Sequence, residues 1–356
     1  MTANVCLVTG GAGFIGCALS KTLASRYDYV IAFDNLHPQV HASAKRPLML
    51  DVRVELRIGD VTDDAGWERF LEEHRPTTVI HLAAETGTGQ SLTEASRHAY
   101  TNVVGLTRML DAFARADIIP EKIVLTSSRA VYGEGAWQRR DNADIIYPGQ
   151  RTLEQLKKKQ WDFPGLDPIP FSAATTEPHP TSVYGATKLA QEHVLKAWAL
   201  AFGAKPIILR LQNVYGIGQS LTNPYTGIVS LFCRLAREGK TIPIYEDGNI
   251  TRDFVFIDDV ADAIETAIDS TTMPTTPYDI GSGKPKTIAE VAQWIAARYG
   301  APPPQVNGAY RHGDVRSASC DIARTVAELG WTPRWPVESG LERLCKWIDE
   351  VLENHA

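Results

Sequence analysis

Tyr184 and Lys188 stand four residues apart in Tyr184-Gly-Ala-Thr-Lys188, which puts a phenol and an ammonium on one face of a helix running toward Phe202. Taking a hydride from a secondary alcohol requires a base on the hydroxyl, a group that lowers that base's pKa, and a hydrogen-bond donor. A tyrosine, with an ordinary pKa of about 10, is no base at neutral pH. An ammonium one turn away favours the phenolate and makes the tyrosine usable. The donor candidate is Ser128, the last residue of the run Lys122-Ile-Val-Leu-Thr-Ser-Ser128. A tyrosine–lysine pair at this spacing also occurs on ordinary solvated helix faces, and a serine commonly ends a strand. The surrounding elements must decide.

Those elements alternate. Apolar runs that suit buried parallel strands occupy Val5–Thr9, Tyr29–Asp34, Val54–Asp60, Thr78–Ala84, Lys122–Ser128 and Pro206–Leu211. Helical patterns begin at Phe14 and cover Trp67–His74, Val103–Ala116 and Ala186–Phe202. The expected fold is α/β: a Rossmann-type, doubly wound parallel sheet covered on both faces over residues 1–213, with Ser128 at the sheet edge where such folds bind ligands. Residues 136–176 break the rhythm with polar and proline-rich sequence around a short charged helix at Arg151–Gln160, too long for a connection, and are expected to form an inserted flap. Shorter elements and frequent turns over 214–356 predict a smaller substrate-binding lobe, some of whose segments return to the first domain, ending in an amphipathic helix at Leu341–Leu352.

The first strand runs into Gly10-Gly-Ala-Gly13-Phe14-Ile15-Gly16, glycines spaced G-x-x-G-x-x-G between a strand and a helix. One glycine makes the tight turn, one lets the backbone approach a pyrophosphate and one packs helix on strand, while the helix N-terminus faces the anion. The second strand ends in Asp34, near the expected position about 20 residues on, where a carboxylate meets a ribose 2′-hydroxyl. It repels a 2′-phosphate. The expected cofactor is therefore NAD rather than NADP.

Bulk composition excludes other classes. The 356 residues carry a formal net charge of −6, with 44% hydrophobic and 22% charged residues, so neither nucleic acid nor an anionic membrane is an expected partner. Five cysteines (Cys6, Cys17, Cys233, Cys320, Cys345) are scattered without a C-x-x-C pair, which predicts reduced thiols and no metal site. The first strand begins almost at once and no apolar stretch reaches spanning length, so the expected location is the cytoplasm.

Thr-Gly-Gly-Ala-Gly-Phe-Ile-Gly, Asp34-Asn35, Gly59-Asp60, His81-Leu-Ala-Ala84, Thr126-Ser-Ser128 and Tyr184-x-x-x-Lys188 together resemble an extended short-chain dehydrogenase/reductase of the nucleotide-sugar epimerase/dehydratase group, over nearly the whole chain. The resemblance implies that Gly10, Gly13, Phe14, Ile15 and Gly16 hold the NAD pyrophosphate and that Asp34 and Asn35 hold the adenosine ribose. It further implies that Asp60 and Val61 meet adenine, that Leu82, Ala83, Ala84, Asn102 and Thr126 line the cofactor, and that Tyr184 and Lys188 reach the nicotinamide ribose. Ser128, Tyr184 and Lys188 would be catalytic. On the substrate side, Asn213-Val-Tyr-Gly216, Thr251-Arg252-Asp253-Phe254 and Arg311-His-Gly-Asp314 resemble the diphosphate-binding turn and two arginine motifs, with Ser128 and Arg129 completing the set. Bidentate guanidinium groups are natural partners of phosphate oxygens. A homodimer built from the helices Val103–Ala116 and Ala186–Phe202 is also implied, with Leu189, Val194, Trp198 and Phe202 available either for that contact or for core packing.

The two positions after Ser128 discriminate between reactions. Dehydratases of this group place an Asp-Glu pair there; this chain has Arg129-Ala130, which can neither protonate a leaving hydroxyl nor take a C5 proton. The flap carboxylates Asp141 and Asp144 stay open as other acids. Asp34 favours NAD and hence C4 epimerisation, in which one hydride is taken and returned. Ser127–Gly135, the insertion after it, and Leu211–Gly227 resemble the 4-epimerases of dTDP-6-deoxyhexoses, which interconvert rhamnose and 6-deoxytalose. Tyr184 follows Ser128 by 56 positions, farther than in simple UDP-galactose 4-epimerases, and the flap is expected to cover the sugar. The alternatives are a 4-ketoreductase of a dTDP-4-keto-6-deoxyhexose, a UDP-glucose/UDP-galactose-type 4-epimerase, and a non-enzymatic NAD-sensing protein.

Overall fold

Seven short apolar segments that pair side by side set the architecture of the computed structural model, which describes residues 3–41, 43–221, 227–271, 274 and 276–353. They are β1 (Val5–Thr9), β2 (Tyr29–Asp34), β3 (Glu55–Ile58), β4 (Thr78–His81), β5 (Lys122–Ser128), β6 (Lys205–Leu211) and β7 (Tyr278–Ile280). All pair in parallel, in the order β7-β6-β5-β4-β1-β2-β3. The order reverses between β1 and β4, which opens a crevice at the strands' carboxyl ends.

Helices cover both faces because the strands are apolar on both. On one face α1 (Phe14–Leu23) and α6 (Ile257–Asp269) bury Leu19, Leu23, Val260, Ile264 and Ala267 against the sheet. On the other, α2 (Asp64–Glu73), α3 (Gly105–Arg115) and α4 (Val183–Phe202) bury Trp67, Phe70, Met109, Leu110, Phe113 and Leu195. The smaller lobe packs α5 (Ile228–Arg237), α7 (Ile288–Tyr299) and α8 (Val337–Glu353) around Phe232, Val291, Ile295, Leu344 and Ile348. β7 and α6 come from the second half of the chain but complete the first domain. The 136–176 insertion forms a small antiparallel sheet of Trp137–Arg139, Ile145–Ile146 and Leu166–Pro168, with a helix at Leu153–Lys157 capped by Thr152 and Gln155. Five cysteines are free and buried, and among the described residues no helix is long and apolar enough to cross a membrane.

One buried ion pair ties the catalytic helix to the sheet. Glu192, one turn beyond Lys188, accepts two hydrogen bonds from Arg210 on β6, at 2.9 and 2.7 Å, and one from the Ser127 hydroxyl on β5 at 2.5 Å. The Arg210 guanidinium also lies over the Tyr132 ring, 4.7 Å from its centroid, and the Tyr132 hydroxyl donates to Asp279 on β7 at 2.7 Å. Removing one partner of such a pair strands a buried charge, a cost of about 3–5 kcal/mol. Arg210→Met is therefore expected to lose about that much stability in denaturant unfolding, with part recovered in the Arg210→Met/Glu192→Gln double variant. A loss below about 1 kcal/mol, typical of an exposed pair, would contradict this.

Candidate active site

The glycine turn folds because Gly10 takes φ +66, and a side chain there would press within 2.8 Å of the Ala83 amide nitrogen. Its N–H bonds the Phe33 carbonyl at 2.8 Å, and the Ala12 N–H reaches across to the Asp34 carboxylate at 3.0 Å. Loop and second strand are thus locked together. The other Asp34 oxygen accepts the Leu36 N–H at 2.8 Å. α1 begins at Gly13 with no capping side chain, so its first-turn N–H groups face outward for an anion. Gly10, Gly13, Asp34, Asn35, Val61, Leu82, Ala83 and Ala84 line one cleft. Asn35 donates to Asp60 at 2.9 Å, and Thr62 donates to it twice; burial works against the ionised form there, but these bonds win and hold Asp60 below its ordinary value. The set fits a dinucleotide: a carboxylate for the ribose, an uncapped helix end for the pyrophosphate and a flat apolar wall.

Asn102 sits in a widened, π-type turn at Tyr100–Val104. Its amide takes both backbone groups of Glu85, at 2.8 and 3.0 Å, and donates to Thr187 on α4 at 2.9 Å. It therefore shapes the loop after β4 and joins it to the catalytic helix. Thr126 bonds the His81 carbonyl at 3.2 Å and supports the cleft floor from below.

At the end of β5, Ser128 accepts the Ala130 N–H at 3.2 Å, turning the chain into Arg129–Tyr132. Gly185 lets α4 approach that turn directly, since a side chain there would collide with the Ala130 carbonyl oxygen. Ser182 caps α4 through the Gly185 N–H at 3.1 Å, and Ser91 accepts the Tyr184 N–H at 3.0 Å. This approach brings Tyr184 to Ser128. Burial raises the Tyr184 phenol, while a hydrogen bond with Ser128 and the charge of Arg129 pull it down. Lys188 is buried too, and burial drops it to about 7 against the pull of Glu192. His81 beneath it is held neutral, near 3, by burial and by the lysine's charge. Arg129, whose charge favours the Tyr184 phenolate, has its own value lowered to about 9 by burial and by Arg252.

Arg129 Nε donates to Asn213 at 2.9 Å, and Arg252, almost fully buried, donates to Asp314 at 2.6 Å. Four of the six expected substrate-side residues thus form two adjoining pairs beside a fifth, Ser128. Arg311 meets them through its backbone, whose carbonyl accepts the Asp314 N–H at 3.2 Å. It is exposed and stacks over Tyr245, 5.3 Å from the ring centroid. Residues 222–226 of the Leu211–Gly227 motif lie outside the described residues. No group of three His, Cys, Asp or Glu able to hold a metal occurs among the described residues.

Several residues of the site carried no signal in the sequence. Arg151, in the flap, is buried and bonds Glu246 at 2.8 Å and the Asp314 carbonyl at 2.9 Å, with Glu134 at 3.5 Å. Arg316 bonds Glu246 and Asp247, and its N–H bonds Glu134 at 2.9 Å. Burial pushes Glu134 up to about 7 despite Arg151. This network fastens the flap to the smaller lobe.

Comparison with known proteins gives the same site a setting. The NAD dependent epimerase/dehydratase family matches residues 6–153 and 162–281. A dTDP-L-rhamnose 4-epimerase of Burkholderia thailandensis is 60% identical over 98% of this chain and 95% of its own length. The UDP-glucose 4-epimerase of Thermotoga maritima, solved with UDP-glucose, superposes with a TM-score of 0.80 at 28% identity, covering 98% of this chain and 99% of that one. The UDP-glucose 4-epimerase of Thermus thermophilus, solved with NAD, gives 0.77 at 28% identity, covering 97% and 99%.

Between about 7 and its ordinary 10.5, folded Lys188 binds less proton than the unfolded chain. Its burial therefore costs stability at and below neutral pH, and the cost fades as the pH climbs toward 10.5. Lys188→Met is expected to gain melting temperature relative to the parent near pH 7 and to lose that gain near pH 10. A difference that does not move with pH would mean the ammonium is not desolvated.

Proposed function

Because the chain belongs to the NAD-dependent epimerase/dehydratase family, we propose that it inverts C4 of a dTDP-6-deoxyhexose, interconverting dTDP-L-rhamnose and dTDP-6-deoxy-L-talose. The observation that carries this reading is the 60% identity to a dTDP-L-rhamnose 4-epimerase along almost the full length of both chains. Gly10, Gly13 and the α1 N–H groups of Phe14, Ile15 and Gly16 would hold the pyrophosphate, and Asp34 with Asn35 the adenosine ribose. Asp60 and Val61 would meet the adenine, and Tyr184 and Lys188 the nicotinamide ribose. Bound NAD supplies the acceptor for the C4 hydride and its source on return.

Tyr184 takes the C4 hydroxyl proton as C4 becomes a ketone and gives a proton back when the alcohol re-forms on the other face. Ser128 donates to the C4 oxygen and stabilises the charge gathering on it. Arg129, anchored by Asn213, favours the phenolate that begins each cycle. Arg252 would exchange Asp314 for a diphosphate oxygen, so the sugar can turn over while its anchor stays fixed. The flap, fastened by Arg151, would roof the hexose.

We place the enzyme in the cytoplasm, where free cysteines remain reduced, and assign it a homodimeric state. The exposed side chains of Leu200 and Phe202, at the end of α4, support such a contact. Leu189 packs instead beside Tyr132 and Phe171, while Val194 and Trp198 lean on the core. Light scattering at micromolar concentration should report the dimer mass; a monomer would rule the dimer out.

A substrate carrying deuterium at C4 separates epimerase from reductase. The label is expected at C4 of the epimer by NMR, with many turnovers and no net use of reduced cofactor. Strict dependence on NADH or NADPH would establish a 4-ketoreductase instead. Tyr184→Phe should lower turnover by about 10²–10⁴-fold while NAD still binds.

A further inference from the structure

The segment after β2, residues 35–41, forms part of the wall of the cofactor cleft through His37, Gln39, Val40 and His41. It is folded on itself. The N–H groups of Val40 and His41 both bond the His37 carbonyl, at 2.9 and 3.0 Å, and the His37 N–H bonds the Asn35 side chain at 3.1 Å. The segment therefore holds its own shape. Glu85 and Thr86, from the loop after β4, line the same cleft, and the chain continues from there into Gln90 and Arg97.

Gln39 joins the two walls. Its amide exchanges hydrogen bonds with that of Gln90, at 3.0 and 3.2 Å, and its oxygen accepts a third from Arg97 at 2.9 Å. The partners are fixed from behind: Arg97 is held by Glu85 at 2.8 Å and Glu94 at 2.9 Å, and buried Gln90 donates to Glu94 at 3.0 Å. One half-buried side chain thus carries three hydrogen bonds to a braced surface, while belonging to none of the four apolar cores.

We propose that Gln39 latches the 35–41 strap to the Gln90–Arg97 wall across the adenosine end of the cleft, and that this contact sets the rate at which the dinucleotide leaves. The proposal rests on the NAD reading of the cleft. It also has a chemical rationale. An epimerase regains its oxidised cofactor in every turnover and has no need to release it, whereas a reductase must exchange it each cycle. A closed strap suits the first and hinders the second.

The test is the dissociation rate of NADH from preloaded enzyme, read as loss of bound-NADH fluorescence after mixing with excess NAD. Gln39→Ala, which loses the bond to Arg97 and both bonds to Gln90, is expected to release NADH about tenfold faster, and Gln90→Ala, which keeps the Arg97 bond, by less than that. The double variant should be no faster than Gln39→Ala, because that variant already removes both bonds between Gln39 and Gln90. Gln39→Glu keeps the oxygen that faces Arg97 and should stay within about threefold of the parent. A Gln39→Ala rate within about twofold of the parent, multiplicative effects in the double variant, or equal acceleration by Ala and Glu would overturn the latch. Parent enzyme that takes up no NADH would instead overturn the reading of the cleft itself.

Discussion

The Glu192–Arg210 pair fixes where the catalytic helix lies. It is buried at both ends and satisfied on every side: Ser127 donates to the carboxylate, Tyr132 offers its ring face to the guanidinium, and Tyr132 in turn bonds Asp279. A buried ion pair of this kind adds little net stability over an apolar pair of the same volume, because desolvation consumes most of the attraction. What it supplies is position. α4 can sit at only one height against β5 and β6, since sliding it by a turn would leave two charges without partners. That height puts Tyr184 at Ser128.

The same burial that gives position sets the site's electrostatics. Tyr184, Lys188 and Arg129 are all displaced toward their neutral forms by desolvation, and each is pulled back by a different partner: Ser128 and Arg129 for the phenol, Glu192 for the lysine, Asp314 for Arg129. The two lowered cations, Lys188 and Arg129, respond most to an anion arriving beside them. A diphosphate near Arg129 and Arg252 would strengthen both cations, and the phenol would feel the change through Arg129.

Much of this was legible because it is local. The glycine turn, Asp34 at the end of β2, and the Tyr184–Lys188 spacing are set by neighbours in sequence, and β1, β2, β4, β5 and β6 announce themselves as apolar runs. β7 did not, because three residues at Tyr278–Ile280 make no run of their own and earn their place only by pairing with β6. Arg151, Glu134, Glu246 and Arg316 looked like ordinary surface charges, since only folding places them in one buried network. Gln39 and Arg97 were silent for the same reason. The lowered values of Lys188 and Arg129 were equally hidden: spacing along a helix gives proximity, and burial then decides how readily each cation holds its proton.

The widened turn at Tyr100–Val104 bears on how this sequence can vary. It holds one more residue than a regular helix would need, and both of its ends are committed. Within it, Asn102 clamps Glu85; downstream, Leu106, Met109, Leu110 and Phe113 are buried. Deleting one residue would restore regular winding but rotate one half against the other by about 100°, taking either Asn102 or the apolar stripe out of its seat. Substitutions at 100, 101, 103 and 104 can be absorbed singly, whereas one at Asn102 or a change of length cannot. Relatives that keep this loop after β4 should therefore differ here in residue type and never in residue number.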